Sequence, residues 1–586
     1  MTPGTELRAD QGRVAVVVLS LVILSVALMW RAVDLHVFRK DFLQQQGDAR
    51  YLRVVSEPAH RGVIMDRNGE PLAISTPVDS LWAEPQELLT ASDKWPQLAQ
   101  ALSIDLQELK QKLARSKERE FVYLKRGVSP QIAETVMNLE IPGVNTEREY
   151  RRYYPSGEVS SHLVGVTNID DEGQEGIELA YNDWLKATDG SKRVIKDRLG
   201  RVVENVERVT EPQAGKDLIL SIDRRIQYLT YRELKAAVTE NQASSGSAVV
   251  LDTRTGEVLA MVNQPSYNPN NRTGLQGDYL RNRAITDVFE PGSTIKPFTV
   301  AAALEAGKFT PNTMINTAPG TLRVGNKTIH DTSNHGLINV STVIQKSSNV
   351  GASLMALAIT PRQLWEMFSY VGFGFNSGSG FPGEASGLLS DYSSWRKLDR
   401  ATLSFGYGIS VTALQLARAY TVFANDGMLL PVTLVRQVSY PNQLKPAPER
   451  VMSVRTARQV RKMLESVVSS EGTGRRAEVN GYRIAGKTGT VRVSGDGGYL
   501  DDRYHSVFAG MAPASDPRLV MVVVINEPKG DKYYGGAVAA PVFSKVIGGA
   551  LRLLDVPPDD LDSLSGARLA YLSDNAAKAA GTSATQ

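Results

Sequence analysis

The chain has 586 residues, 42% hydrophobic and 22% charged. That is too long for one hydrophobic core and is enough for roughly two to four domains. Its 66 basic residues nearly balance 63 acidic ones, leaving a net charge of +3, which argues against wholesale nucleic-acid binding. The absence of cysteine excludes disulfides, thiolate catalysis and Cys-ligated zinc or iron–sulfur centres. The six histidines, His36, His60, His162, His330, His335 and His505, show no zinc-motif spacing and no H-E-x-x-H, so each is expected as a surface or structural residue rather than a metal ligand.

In chain order, the first element is an uncharged run of 17 residues from Val14 to Trp30, flanked by Arg13 and Arg31. Such a run can just cross a bilayer with Trp30 at an interface. Ser25-Val26-Ala27 resembles a signal-peptide cleavage site, but the apolar run continues through Leu28-Met29-Trp30 to Leu35, which favours an uncleaved anchor over 14–36. Flanking charge leaves its orientation open. Residues 38–55 read as a polar, helical connection. From Arg61 the pattern turns to short strands, and Asn68-Gly69 between apolar runs is a hairpin signal. Residues 80–140 look helical and mixed, and a Gly-rich stretch runs from Tyr154 to Gly176. Asp217 to Ile222 alternates like a strand, and Arg224 to Thr239 has helical spacing of Ile226, Leu229, Leu234 and Val238. A domain boundary is expected between them, near 220–226.

The rest reads as one α+β domain. Ser247 to Val262 predicts a hairpin around Thr253–Gly256. Three strands follow much later, at 482–493, 504–511 and 518–525, and then a helix from Pro541 to Leu554. Two early strands, a long helical insert, three strands and a helix suggest an antiparallel five-stranded sheet flanked by helices. The β-branched run Leu519–Ile525 predicts a strand covered on both faces. After Pro557-Pro558 the composition turns Ala/Ser/Thr/Asp-rich, which predicts a disordered tail over 557–586.

Three short segments carry chemistry. In Pro291-Gly292-Ser293-Thr294-Ile295-Lys296, a helix opens with Ser293 suited to the N-cap and Lys296 three residues on, projecting from the same side. A serine hydroxyl is a poor nucleophile without a base, and lysine can be that base when desolvation and positive neighbours lower its pKa. In Lys346-Ser347-Ser348-Asn349, a hydroxyl at Ser347 can relay a proton and the Asn349 amide can hold a substrate carbonyl. In Lys487-Thr488-Gly489-Thr490, the lysine offers charge for a carboxylate, the threonines offer hydroxyls, and Gly489 would let a ligand approach the strand. Singly, an N-cap serine, an Asx-turn and an edge-strand turn explain them as well. Together, in this order and spaced 54 and 140 residues apart, they match the S-x-x-K, S-x-N and K-T-G set of β-lactamases and penicillin-binding proteins.

With these motifs in place the sequence resembles a class B penicillin-binding protein, and more closely the division-specific septal transpeptidases of Gram-negative bacteria, the FtsI type. The likeness also rests on Arg61-Gly62 through Asp66-Arg67-Asn68-Gly69, Tyr154-Pro155 through His162-Leu163-Val164-Gly165, Gly173 through Glu178 to Tyr181, Asp287-Val288-Phe289-Glu290, and Phe405-Gly406-Tyr407-Gly408. It implies a cytoplasmic tail (1–13), the anchor (14–36), a non-catalytic periplasmic pedestal (37–222) and a transpeptidase domain (223–556). It leaves no room for the glycosyltransferase domain of class A enzymes. By resemblance, Ser293 attacks the penultimate D-Ala carbonyl of a stem peptide and Lys296 is the base. Ser347 with Lys487 relays the proton, Asn349 positions the substrate amide, and Thr488 and Thr490 hold the terminal carboxylate. The amides of Ser293 and Thr490 form the oxyanion hole. Tyr504, Tyr533 and Tyr534 fall near the site wall, although aromatic packing explains them equally. The implied partners are stem peptides, β-lactams, the membrane and divisome proteins including a membrane glycosyltransferase of the FtsW type. A β-lactamase would share the motifs but would be shorter, secreted and without a pedestal. A D-Ala-D-Ala carboxypeptidase would use water as acceptor, and an elongation-specific relative would differ in its partners rather than its chemistry.

Overall fold

The computed structural model describes residues 6–43, 52–196, 202–274, 277–436, 447–495, 498–530 and 532–563. The chain divides into two compact units. One comprises Met1–His60, Thr76–Arg151 and Ala187–Gly215, and the other Arg61–Ser75, Arg152–Lys186 and Lys216–Gln586. The stretch 37–222, expected as one pedestal, is thus shared between them.

The first unit begins with helix α1 (Glu6–Val33), which continues into a π-turn at Asp34–Phe38. Within Gly12–Phe38 an 18-residue window has a mean hydropathy of 2.4 and buries none of its residues, the length and composition of a bilayer span. Strand Leu52–Glu57 pairs antiparallel with Gly190–Lys196, which pairs in turn with Val202–Thr210. This corrects the helical reading of residues 52–55: a neighbouring strand supplies a ladder that local polarity could not foretell. The stretch at 80–140 is mixed, as expected. Helices Trp95–Leu102, Leu106–Arg115 and Pro130–Met137 bury Leu98, Leu109 and Val136 with Leu124 of strand Val122–Val128. Asp105 caps the second helix by accepting from the Gln107 and Glu108 amides.

In the second unit, the Asn-Gly signal forms a turn in which Ile64 and Met65 pair with Ala73 and Pro71, and Leu218–Ile219 adds in parallel. Ile64, Leu72, Leu163, Ile177 and Leu218 join the main core of this unit. Between these segments lies a buried ionic cluster. Glu178, with no exposed surface, accepts from Arg61 Nε at 2.8 Å and Arg152 Nε at 2.6 Å, and its carbonyl accepts from Arg61 as well. The Gly-rich stretch from Tyr154 to Gly176 therefore packs with the larger unit.

Helix α2 (Arg224–Glu240) starts where Asp223 accepts from the Arg225 amide. The sheet is formed by β1 (Ser245–Asp252), β2 (Val258–Gln264), β3 (Ala485–Gly495), β4 (Gly498–Ala512) and β5 (Leu519–Asn526). Its spatial order is β2-β1-β5-β4-β3, antiparallel throughout. Alternation sends Val520, Val522 and Val524 of β5 to one core and Met521, Val523 and Ile525 to the other. Helices α3 (Lys296–Glu305) and α6 (Ala413–Ala424) contribute to the first core. Helices α2 and α8 (Ala540–Leu553) contribute to the second. A strand covered on both faces is why β5 reads as an unbroken apolar run. The start of the tail is ordered, contrary to expectation. Asp559 accepts from the Arg483 amide and the Ser515 hydroxyl, and Ser563 Oγ accepts from the Gly481 amide. Expectations for residues 1–5 and 564–586 lie outside the described residues.

Candidate active site

Three elements of the larger unit converge on one cleft of about 540 Å³, lined by Ser293, Ser347, Asn349, Thr488, Thr490 and Tyr534 among others. The first is the turn Gly292–Ile295, which leads into α3. Ser293 lies inside this 3₁₀ turn and does not cap the helix, which corrects the N-cap expectation. The cause is local. Gly292 adopts φ +54° and its amide donates to the Gly406 carbonyl at 3.3 Å, so the chain is already turning before Ser293. Behind it, Tyr420 donates to the Thr294 carbonyl at 2.7 Å and stacks edge-on against Phe298. The Ser293 hydroxyl makes no hydrogen bond among the described residues and faces the cleft.

The second element joins α4 (Val340–Lys346) to α5 (Asn349–Ala358). Ser347 ends α4 in the left-handed conformation (φ 61°) and Ser348 caps α5 by accepting from the Gly351 amide. Ser348, the middle of the S-x-N motif, therefore points away from the cleft, and its hydroxyl donates to Asp331 Oδ2 at 2.6 Å. Asp331 Oδ1 also accepts from the backbone amides of Asn349 and Val350. This carboxylate fixes the turn that presents Ser347 and Asn349. Sequence reading missed it, because nothing in His330-Asp331-Thr332 marks it.

The third element is β3, which carries Lys487 to Thr490. Lys296 and Lys487 are both fully buried. Lys296 Nζ contacts Ser347 Oγ at 3.1 Å, Asn349 Oδ1 at 2.7 Å and the Ser347 carbonyl. Lys487 Nζ lies 2.9 Å from the same Ser347 hydroxyl and 3.1 Å from the Thr488 carbonyl. Two amines thus share one hydroxyl. Burial, then the charge of Lys487, holds the Lys296 pKa well below the usual lysine range, against a weaker opposing pull from Asp331. Burial lowers Lys487 to about 7. Three acceptors around Lys296 suit an ammonium. A neutral amine has a lone pair, which one of its neighbours must then face as a donor, and the Ser347 hydroxyl alone can do so. Asn349 also donates to the His330 carbonyl at 2.9 Å, which leaves one amide hydrogen for a ligand.

The remaining expected residues fall in two groups. Thr488 and Thr490 line the cleft. The Thr488 hydroxyl meets that of Thr473 at 2.8 Å, and Thr490 Oγ1 accepts from the Gly535 amide at 3.0 Å. Tyr534 also lines it, whereas Tyr533 stacks between Tyr534 and Tyr504 with ring centroids 4.5 and 4.3 Å apart. Tyr504 therefore backs the wall and is not part of its lining. Gly489 serves a purpose different from the one expected. A Cβ there would lie 3.0 Å from Thr294 Cγ2 and 3.1 Å from the Pro291 carbonyl, so the close approach is made by the turn that carries Ser293. Sequence reading also missed Thr473, Arg475 and Arg476, which line the cleft from the turn after α7 (Val454–Val467). The glycine-flanked basic run Gly472-Thr473-Gly474-Arg475-Arg476 was the available signal.

An antiparallel sheet backed by α3, with the S-x-x-K turn beside its edge strand, is the frame of the penicillin-recognising serine enzymes. Residues 246–548 match the penicillin-binding protein transpeptidase domain, and residues 56–220 match the penicillin-binding protein dimerisation domain. The chain is 45% identical to the peptidoglycan D,D-transpeptidase FtsI of Escherichia coli K12 over 540 residues, covering 91% of this chain and 90% of that one. It is likewise 45% identical to the probable peptidoglycan D,D-transpeptidase PbpC of Pseudomonas aeruginosa over 549 residues, 94% of this chain and 96% of its relative. Penicillin-binding protein 3 of Mycobacterium tuberculosis, solved with aztreonam, superposes with a TM-score of 0.67 at 30% identity, over 86% of this chain and 98% of that one. The chain belongs to the class B penicillin-binding proteins, in the division-type FtsI family.

Proposed function

We propose that this protein is a peptidoglycan D,D-transpeptidase that works through an acyl ester on Ser293 and that β-lactams inactivate by occupying the same serine. The observation carrying this reading is the fully buried Lys296 amine, desolvated and facing Lys487 across Ser347. Burial and the charge of Lys487 hold its pKa well below the usual lysine range, which favours the neutral amine that can take a proton from Ser293. Serine Oγ bonds to the penultimate D-Ala carbonyl carbon while the oxyanion meets the amides of Ser293 and Thr490. Ser347, bridging both lysines, then delivers the proton to the departing D-Ala nitrogen. Asn349 holds the substrate amide, and Thr488 and Thr490 hold the terminal carboxylate. In the second half, an acceptor amine bonds to the ester carbon, the carbon–Oγ bond breaks, and the proton returns to Ser293. Water as acceptor gives carboxypeptidase turnover of the same intermediate.

The substrate lies outside the cytoplasmic membrane, so α1 is read as an anchor with its N-terminus cytoplasmic and the cleft in the periplasm. A membrane glycosyltransferase of the FtsW type is the partner this reading expects. Fluorescent-penicillin labelling of the full chain tests the chemistry. Wild type should carry a stable covalent label and Ser293→Ala none. Persistent labelling of the variant would overturn the assignment.

A further inference from the structure

The cleft has a cationic side that the mechanism above does not use. Arg475 and Arg476 line it from the short turn Arg475–Ala477, and no carboxylate side chain lines it with them. Arg475 forms no ion pair or side-chain hydrogen bond among the described residues, and the one polar contact of Arg476 is a 3.3 Å donation to the Ala537 carbonyl. Exposed arginines are common, but these two are placed by a built segment. The Gly474 amide donates to the Val467 carbonyl at 2.8 Å, Ala477 is fully buried, and the Thr473 hydroxyl meets that of Thr488. The pair is thereby tied to the carboxylate-binding strand.

Arg476 and Ala537 also line a second cavity, of about 430 Å³. Lys529, Lys532 and Lys545 line it too, against Glu233 and Glu240. Glu233 is already engaged by Arg232 at 2.6 Å and Lys545 at 3.3 Å. The cationic surface thus runs from the cleft into the adjoining cavity.

We propose that Arg475 and Arg476 form a subsite for a carboxylate of the acceptor peptide, next to its attacking amine, and that the second cavity takes the continuing anionic part of that strand. This rests on the transpeptidase reading. The placement argument is one of reversal. The leaving D-Ala is an amine with an α-carboxylate, seated by Thr488 and Thr490. The acceptor amine must enter along the path by which that amine departs, so its carboxylate returns to the side of the cleft on which Thr473 joins Thr488, where Arg475 and Arg476 add the positive charge that the threonine hydroxyls lack. A guanidinium there matches a carboxylate in a bidentate fork and would fix the amine beside the ester carbon.

The test uses the full chain in detergent, a D-alanyl thioester donor in which a mercapto acid replaces the terminal D-Ala as leaving group, and two acceptors: D-methionine and D-methionine amide. The readout is the ratio of acceptor kcat/KM values, acid over amide. Replacing both arginines, Arg475→Ala with Arg476→Ala, should lower that ratio about tenfold, the size of a charge-assisted pair, chiefly through KM of the acid. Arg475→Glu should lower it further, and Arg475→Lys, which keeps the charge but not the fork, should fall between wild type and the double variant. A ratio that stays within about twofold of wild type in the double variant and in Arg475→Glu overturns the subsite. The two readings fail differently: no Ser293-dependent acyl-enzyme with either acceptor sinks the transpeptidase, whereas an acyl-enzyme with an insensitive ratio sinks the subsite alone.

Discussion

The contact between Gly406 and Gly292 sets the position of Ser293, the proposed nucleophile, and Gly406→Ala measures how tightly. Gly406 adopts φ +92°, and a Cβ there would sit 2.2 Å from the Gly292 carbonyl oxygen and 2.3 Å from its nitrogen. An L-residue held at positive φ costs about 1–2 kcal/mol. The clash adds more, because both neighbours are backbone and cannot rotate away. Ordinary contact begins near 3.4 Å, so the turn must retreat by roughly 1 Å in a close-packed setting. Ser293 follows Gly292 directly, and a 1 Å misplacement of a reacting group costs about a hundredfold in rate. Stopped-flow acylation by a fluorescent penicillin should therefore slow about a hundredfold, with a drop of a few degrees in Tm. Gly408→Ala is the control: φ is +81°, but the nearest atom to a Cβ is 3.9 Å away. It should lose similar stability and keep acylation within about threefold of wild type. If Gly406→Ala acylates as fast as Gly408→Ala, the contact does not set the nucleophile and the reasoning fails.

Three further outcomes follow from the same geometry. Asp331→Asn keeps one acceptor oxygen but turns an amine toward a donor, so it should destabilise by about 1–3 kcal/mol in urea unfolding and slow acylation as the Ser347–Asn349 turn shifts; unchanged acylation would refute its positioning role. Glu178→Gln removes the carboxylate that accepts from both Arg61 and Arg152 and should cost about 3–5 kcal/mol in the same assay, whereas a loss below about 1 kcal/mol would show the cluster to be expendable. For Lys487, burial lowers the pKa to about 7 in the folded chain, while an unfolded lysine titrates near about 10.4. Between these values the unfolded chain holds the extra proton, so stability should rise with pH from about 7 to about 10. Lys487→Met should make that rise shallower between pH 7 and 9, leaving the share of Lys296, and an equal slope in both proteins would refute the assignment.

Much of the catalytic unit was legible in the sequence. The hairpin β1–β2, the run of β5 and the helices α2 and α8 carry their period or apolar density within a few residues, so local reading located them. The three motifs were legible because order and spacing compound weak signals. What escaped depends on contacts between distant segments. Asp331 matters through donors 17 to 19 residues away, held by a turn that no pattern announces. Ser293 missed the N-cap because Gly406, more than a hundred residues later, bends the chain first. Arg61 and Arg152 belong with the larger unit because they find Glu178, and composition says nothing of that meeting.

The strand order of the sheet governs when the enzyme can come into being. β1 finds its inner neighbour only in β5, with Asp252 paired to Leu519 and Ser245 to Asn526. At about 5–20 residues per second of synthesis, β1 waits roughly 15–50 s for that partner. Ser293 is made early in that interval but has no complete sheet beside it, and Lys487 is made only near the interval's end. On the proposed mechanism Ser293 is therefore unarmed on the nascent chain. Reactivity toward penicillin arrives late and all at once, after β5 closes the middle of the sheet, so a truncated chain ending before Leu519 should be inert even though it contains all three motifs.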